Sequence, residues 1–151
     1  MKAVIVLEAL RNGCNSCSSI ADYATKRQIS MSEKTIHRHV KLLRDLGYII
    51  YESERGFVLK GEGAKNNTAK FGTSAYPIII LKIIAQFKYR HPDQKTIINL
   101  IKVYYGCEVN RKAVGRNIKR LRELGYIIER RRGGYKLVAE FDAIRNETEL
   151  K

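Results

Sequence analysis

Apolar residues open the chain at helical spacing. Val4, Leu7 and Leu10, with Ile5 and Val6 broadening the stripe, predict a first helix over residues 2–12, ended by Gly13. Asn15 is expected to cap a second helix carrying Ile20, Ala21, Tyr23 and Ala24. After a turn at 28–31, Ser32 caps a third helix whose buried stripe is Ile36, Val40, Leu43 and Leu46. Gly47 stops it, because glycine enters the left-handed C′ conformation without a Cβ penalty. The β-prone runs 48–51 and 57–60 flank a short turn at 53–56 and predict a hairpin.

The pattern then repeats. Pro77 is expected to open a helix reaching residue 89, with Ile80, Leu81, Ile84 and Phe87 as its stripe, broken by His91-Pro92. Asp93, 78 residues after Asn15, caps a helix presenting Ile97, Ile98, Ile101 and Tyr105. Asn110 caps the next, which buries Val114, Ile118, Leu121 and Leu124 and ends at Gly125. Runs 126–129 and 135–138 form a second hairpin with Gly133-Gly134 at its tip. Aligned without gaps at an offset of 78, segments 32–59 and 110–137 share twelve identical residues. These are Lys34/Lys112, Arg38/Arg116, Lys41/Lys119, Leu43/Leu121, Arg44/Arg122, Leu46/Leu124, Gly47/Gly125, Tyr48/Tyr126, Ile49/Ile127, Ile50/Ile128, Gly56/Gly134 and Leu59/Leu137. Leu43, Leu46, Tyr48, Ile49, Ile50 and their counterparts read as core.

Helix-helix-helix-strand-strand, twice over, is the order of the winged helix-turn-helix. The expected class is therefore mainly α with small β-hairpins (α+β), built as two tandem winged helix-turn-helix domains over 1–60 and 76–139. The Gly-, Asn-, Thr- and Ser-rich segment 61–75 reads as a flexible linker. In the C-terminal tail, 140–151, Phe141 and Ile144 allow one packed turn before a frayed end.

Composition adds a partner. Lys and Arg total 29 against 15 acids, a formal net charge of +14. Residues 1–73 contribute +5 and residues 74–151 contribute +9. This excess favours a polyanion: nucleic acid first, an anionic membrane surface second. No segment approaches the ~20 apolar residues of a membrane span. The most apolar run, 78–84, is interrupted by Lys82, and Glu8 and Arg11 interrupt any signal core at the N-terminus. A cytoplasmic protein with no membrane partner is expected.

Cys14, Cys17 and Cys107 are an odd set for which disulfides are not expected. Cys14 and Cys17 have the C-x-x-C spacing of half a zinc site, but no second pair follows. Cys107 with His37, His39 or His91 would complete it only through the fold. The expectation is thiols in a helix–helix turn, His37 and His39 as surface or cap residues, and no metal or other cofactor. Walker-type, HExxH, Gly-x-Ser-x-Gly and DxD-like motifs are all missing, so no enzyme is expected.

The third helix of each half has a face free of the apolar stripe. In the first it carries Glu33, Lys34, Thr35, His37, Arg38 and Lys41; in the second, Arg111, Lys112, Ala113, Gly115, Arg116 and Lys119. A helix fits the B-DNA major groove, and its N-terminal turns meet the base edges. Arg38 and Arg116 are placed to fork onto guanine, while Thr35 offers a methyl and a hydroxyl. Ser32 and Asn110 sit where helix amides hold a phosphate. Lys41/Lys119 and Arg44/Arg122 lie further along and suit backbone neutralisation. Arg130-Arg131-Arg132 forms a cationic hairpin tip for phosphates or a narrow minor groove. In the first hairpin Arg55 is flanked by Glu52 and Glu54, so the second half is expected to be the stronger anchor.

Segment 110–137 resembles the DNA-binding heads of DeoR-type and WYL-domain bacterial regulators. The matches are Asn110, Val114, Arg116, Ile118, Leu121, Leu124, Gly125, Ile128, Gly133, Gly134, Tyr135 and Leu137. The first half matches at Ser32, Thr35, Ile36, Arg38, Val40, Leu43, Leu46, Gly47, Ile50, Gly56 and Leu59, with Phe57 replacing Tyr. The resemblance implies sequence-specific binding of double-stranded DNA by a transcriptional regulator. The effector domain usual in that family has no counterpart here, so no small-molecule effector is carried over. Duplication of the head within one chain is similar to tandem winged-helix initiators of plasmid or phage replication or partition, which keeps that role as an alternative. A winged-helix protein-interaction adaptor is the alternative of another class. Homodimerisation stays open, because the two unlike faces predict an asymmetric site unless the chain pairs.

Overall fold

The computed structural model describes residues 1–87 and 90–139. The chain divides into two compact units, Met1–Ala69 and Lys70–Lys151. It is α+β: six α-helices and two antiparallel two-stranded hairpins among the described residues.

In the first unit the helices are α1 (Lys2–Arg11), α2 (Cys17–Thr25) and α3 (Glu33–Asp45). Strands β1 (Tyr48–Ser53) and β2 (Gly56–Glu62) follow. Helix α1 is the centre, with every residue over 3–10 buried against α2, α3 and β2. A helix apolar on nearly all sides has no stable position except inside. Its one charged core residue, Glu8, is 2% exposed and accepts a hydrogen bond from Arg11 at 2.9 Å. From α3, the stripe Ile36, Val40, Leu43 and Leu46 closes the core. Each such side chain contributes about 1.5–3 kcal/mol of apolar burial.

The cap of α2 is Ser16, not Asn15. Ser16 Oγ accepts from Ser19 N at 3.0 Å, and Ser16 N donates back to Ser19 Oγ at 3.1 Å, a reciprocal capping box. Asn15 acts through its main chain instead, where its carbonyl accepts the N–H of Phe57 at 2.7 Å. This bond ties the base of β2 to the start of α2. Gly56, at φ +111°, lies so close that a Cβ there would overlap the Asn15 carbonyl.

The second unit follows the same order. A 3-10 turn, Thr73–Ala75, runs into α4 (Tyr76–Gln86), followed by α5 (Gln94–Tyr105) and α6 (Arg111–Leu124). Strands β3 (Ile127–Arg131) and β4 (Gly134–Ala139) complete it. Pro77 lies in the first turn of α4, where its missing N–H costs no intrahelical bond. Helix α4 has a third turn ending at Gln86; residues 88–89, expected to extend it, lie outside the described residues, as does the tail over 140–151. Like α1, it is buried well beyond the expected stripe, including Ile78, Ile79 and Ile83.

Asp93 caps α5 by accepting from Thr96 N at 2.8 Å, and this bond holds the carboxyl below the usual range. Because the true caps are Ser16 and Asp93, the second helices are offset by 77 residues, whereas the third helices keep 78. The difference arises because α5 has 12 residues against 9 in α2, while the connection to the third helix shrinks from 26–32 to 106–110. There the terminations also differ: α5 ends at Gly106 in the left-handed region, whereas Gln28 adopts φ +61° after α2.

Both hairpins carry a β-bulge at the same place, between Ile49 and Ile50 and between Ile127 and Ile128. Strand alternation then turns Ile50 and Ile128 inward and Ile49 and Ile127 outward. The latter two, expected in the core, are each 41% exposed. The tip of the second hairpin is Arg132-Gly133, with φ +52° and +80°, the signature of a type I′ turn. Gly134 is therefore not at the tip. It opens β4 against the carbonyl of His91, which leaves no space for a Cβ.

Segment 61–75 is shared between the units. Gly63 N donates to Gly47 O at 2.7 Å, and Asn66 N to Asp45 O at 2.8 Å, so its first part lies over the C-terminus of α3. In the second unit, Phe71 O accepts from Cys107 Sγ at 3.5 Å and the Phe71 ring meets Tyr105 edge-on.

Candidate nucleic-acid interface

Helix α3 is built to hold two kinds of surface apart. Its core stripe spaces residues three and four apart, and the same spacing on the other side aligns Lys34, Arg38 and Lys41. In α6 the aligned residues are Lys112, Arg116 and Lys119. All six are exposed. Lys41 lies 3.5 Å from the Asp45 carboxylate on the helix surface. Such an exposed pair contributes little and leaves the ammonium available to a partner.

The N-cap residues are occupied as caps. Ser32 Oγ accepts from Thr35 N at 3.2 Å and lies 3.0 Å from Thr35 Oγ1. Asn110 Oδ1 accepts from Ala113 N at 2.8 Å. Thr35, expected to face a base, is half-buried and spends its hydroxyl on this cap. Arg111 is exposed beside the Asn110 cap.

Arg44 and Arg122 turn back into their own units. Arg44 Nε and an Nη donate to Ile50 O at 3.0 and 2.9 Å, and Arg122 Nε donates to Ile128 O at 2.9 Å. They fix each hairpin to the helix before it, a role the sequence spacing did not indicate, and both residues remain exposed. At the tips, Arg131 forms a two-pronged ion pair with Glu129, at 2.9 and 2.6 Å. Arg130 lies over the Tyr135 ring, 5.2 Å from its centroid. Arg132, on the turn, and Arg55, on the first hairpin, are both exposed.

The two histidines of α3 differ. His39 is 4% exposed, not a surface residue, and neither ring nitrogen has a hydrogen-bond partner among the described residues. Burial, with Arg38, the N-terminal amine and Lys2 nearby, pushes its pKa down to about 4. His37 is exposed, but its ring meets Phe57 edge-on with centroids 5.2 Å apart. Its Nε2 lies 3.6 Å from Cys17 Sγ and 3.8 Å from Glu33 Oε1. Burial, then the charges of Glu33 and Glu52, raise the Cys17 pKa. Sequence spacing pointed to Cys14 as the companion of Cys17; the fold brings Glu33 and His37 to it instead. Cys107 is buried in the second unit against Phe71 and Tyr105. The signal that would have found the cluster is the i, i+4 pair Glu33/His37, but nothing local to the sequence brings Cys17 there.

Among the described residues, no helix is long and apolar enough to cross a membrane. No family model, no curated protein and no solved structure matches the chain.

Proposed function

We propose that this chain is a sequence-specific double-stranded DNA-binding protein, a regulator of transcription built from two tandem winged helix-turn-helix modules. In this reading α3 and α6 are the recognition helices and each enters a major groove, while the hairpins are wings that contact phosphates or a minor groove.

One observation carries the reading. Most of the twelve identities between the repeats have a structural reason: core packing, the glycine turns, or the clamp from arginine to hairpin. What remains on the helices is Lys34/Lys112, Arg38/Arg116 and Lys41/Lys119, three cations per helix on one exposed face. A face that only needed solubility would tolerate any mixture of polar residues. Two copies that diverged at the neighbouring Glu33/Arg111 and His37/Gly115 have kept the same cations at the same spacing. Arg38 and Arg116 sit where a guanidinium forks onto guanine, and the lysines suit phosphate. Ile49 and Ile127 are the exception, exposed and identical, and nothing in the structure explains them.

Selection from a random duplex library, followed by anisotropy titration of the enriched sequence, tests the reading. Enrichment of a defined, asymmetric motif is expected. Affinity should fall steeply with salt, with a log–log slope on the order of −4 if the four helix lysines each neutralise a phosphate. Recovery of unenriched DNA, or affinity indifferent to salt, would overturn it.

A further inference from the structure

We propose that Cys17, Glu33 and His37 form a zinc site, open at its fourth position, joining α2 to α3 in the first unit. The site rests on the geometry of this helix pair and does not depend on DNA binding.

The three side chains come from two rigid elements. Glu33 and His37 are one turn apart on α3 and so lie side by side. Cys17 is the first residue of α2, held in place by the capping box of Ser16 and Ser19 that encloses it. Their ligand atoms all lie within 4.8 Å of one another. Zinc takes sulfur at about 2.3 Å and imidazole nitrogen at about 2.0–2.1 Å, which at a tetrahedral angle places the two ligands about 3.6 Å apart. The Cys17 Sγ to His37 Nε2 distance is 3.6 Å. Glu33 Oε1, at 3.8 Å from the ring nitrogen, needs only a rotation of a side chain that is 78% exposed.

Two further features favour a cation here. The imidazole is oriented beforehand by its edge-on contact with Phe57, itself 3% exposed and anchored through its N–H to Asn15. Within a chain of net charge +14, Cys17 also sits in the field of two carboxylates, Glu33 and Glu52. A thiolate, an imidazole and a carboxylate are the donor set of zinc and its borderline-soft neighbours, not of magnesium or calcium.

The second unit provides an internal comparison. The corresponding positions hold Gln94, Arg111 and Gly115, and Gln94 Nε2 comes within 3.6 Å of where a Gly115 Cβ would stand. The same junction between helices is thus formed without a single metal ligand. One metal ion per chain is therefore expected, in the first unit alone.

The test uses the full chain, reduced and metal-free, titrated with Co2+ and then with Zn2+. Expected are visible ligand-field bands of tetrahedral cobalt together with a thiolate-to-cobalt charge-transfer band, saturating at one equivalent and bleached by zinc. Cys17→Ser should abolish the charge-transfer band, and His37→Gln should weaken cobalt binding by more than about tenfold, since even outer-shell losses cost 10–100-fold. Cys14→Ser and Cys107→Ser should bind as the parent chain does, with circular dichroism verifying the fold of each variant. Absence of tetrahedral bands in the parent chain, or bands lost in Cys14→Ser and retained in folded Cys17→Ser, would overturn the proposal.

Discussion

Arg44 grips the carbonyl oxygen of Ile50 with two N–H groups, at 3.0 and 2.9 Å. The bond spans the turn at Gly47 and makes helix and hairpin one body. Arg44→Ala leaves that carbonyl without its donor, and a loss of about 1–3 kcal/mol is expected in denaturant unfolding. Lys41→Ala, one turn away and exposed, should shift stability by no more than about 0.5 kcal/mol. Equal effects from the two substitutions would contradict this division of labour.

DNA binding should separate the same residues in the opposite sense. Lys41→Ala and Lys119→Ala are expected to weaken duplex affinity and reduce the salt slope by about 1 each. Arg38→Ala and Arg116→Ala should cost about 1–3 kcal/mol of binding and relax specificity at one base pair each. At the second hairpin, Arg132→Ala should matter more than Arg131→Ala, because Arg131 is already paired with Glu129. Competition titrations with the selected duplex and a scrambled one read all of these.

Gly134→Ala tests the seam between hairpin and helices. The new methyl would overlap the His91 carbonyl, and Tyr135 N would lose its 3.0 Å bond to Pro92 O. Destabilisation of several kcal/mol is expected, on the order of other steric failures in a packed site. Gly56→Ala should behave alike, with its φ of +111° adding strain. A thermal melt unchanged in either variant would refute the seam.

His39 sets a pH dependence. In the unfolded chain its imidazole takes up a proton near pH 6.5, whereas in the folded chain it resists protonation until about pH 4. Between these values the unfolded state holds more protons, so stability falls as pH falls, by at most about 3 kcal/mol, and is fully present above pH 6.5. His39→Leu, which leaves no group to protonate, should flatten the unfolding free energy across that window.

How much of this was legible in the sequence follows from range. Caps and stops written in one turn of chain were readable: Ser32, Asp93, Asn110, Gly47 and Gly125 all act as their residue types dictate. The α2 cap lies one residue beyond the expected position because Asn15 and Ser16 are both good caps, and Ser16 has Ser19 three residues on to complete a capping box. The inward and outward faces of 48–50 were not readable, since three consecutive apolar residues hide the period until the bulge sets it. Arg44 and Arg122 looked like any other cations on a basic helix. What they do depends on a carbonyl six residues on, after a turn whose geometry no local pattern gives. The cluster around Cys17 is not legible either, since Glu33 and His37 reach it only through the packing of α2 on α3.

The glycines that open β2 and β4 have a final consequence. Where a strand rests directly on the main chain of its own unit, the join involves no side chain and so offers mutation nothing to adjust. The hairpin ends just beyond these seams carry no such constraint: one is acidic around Arg55, and the other gathers three arginines.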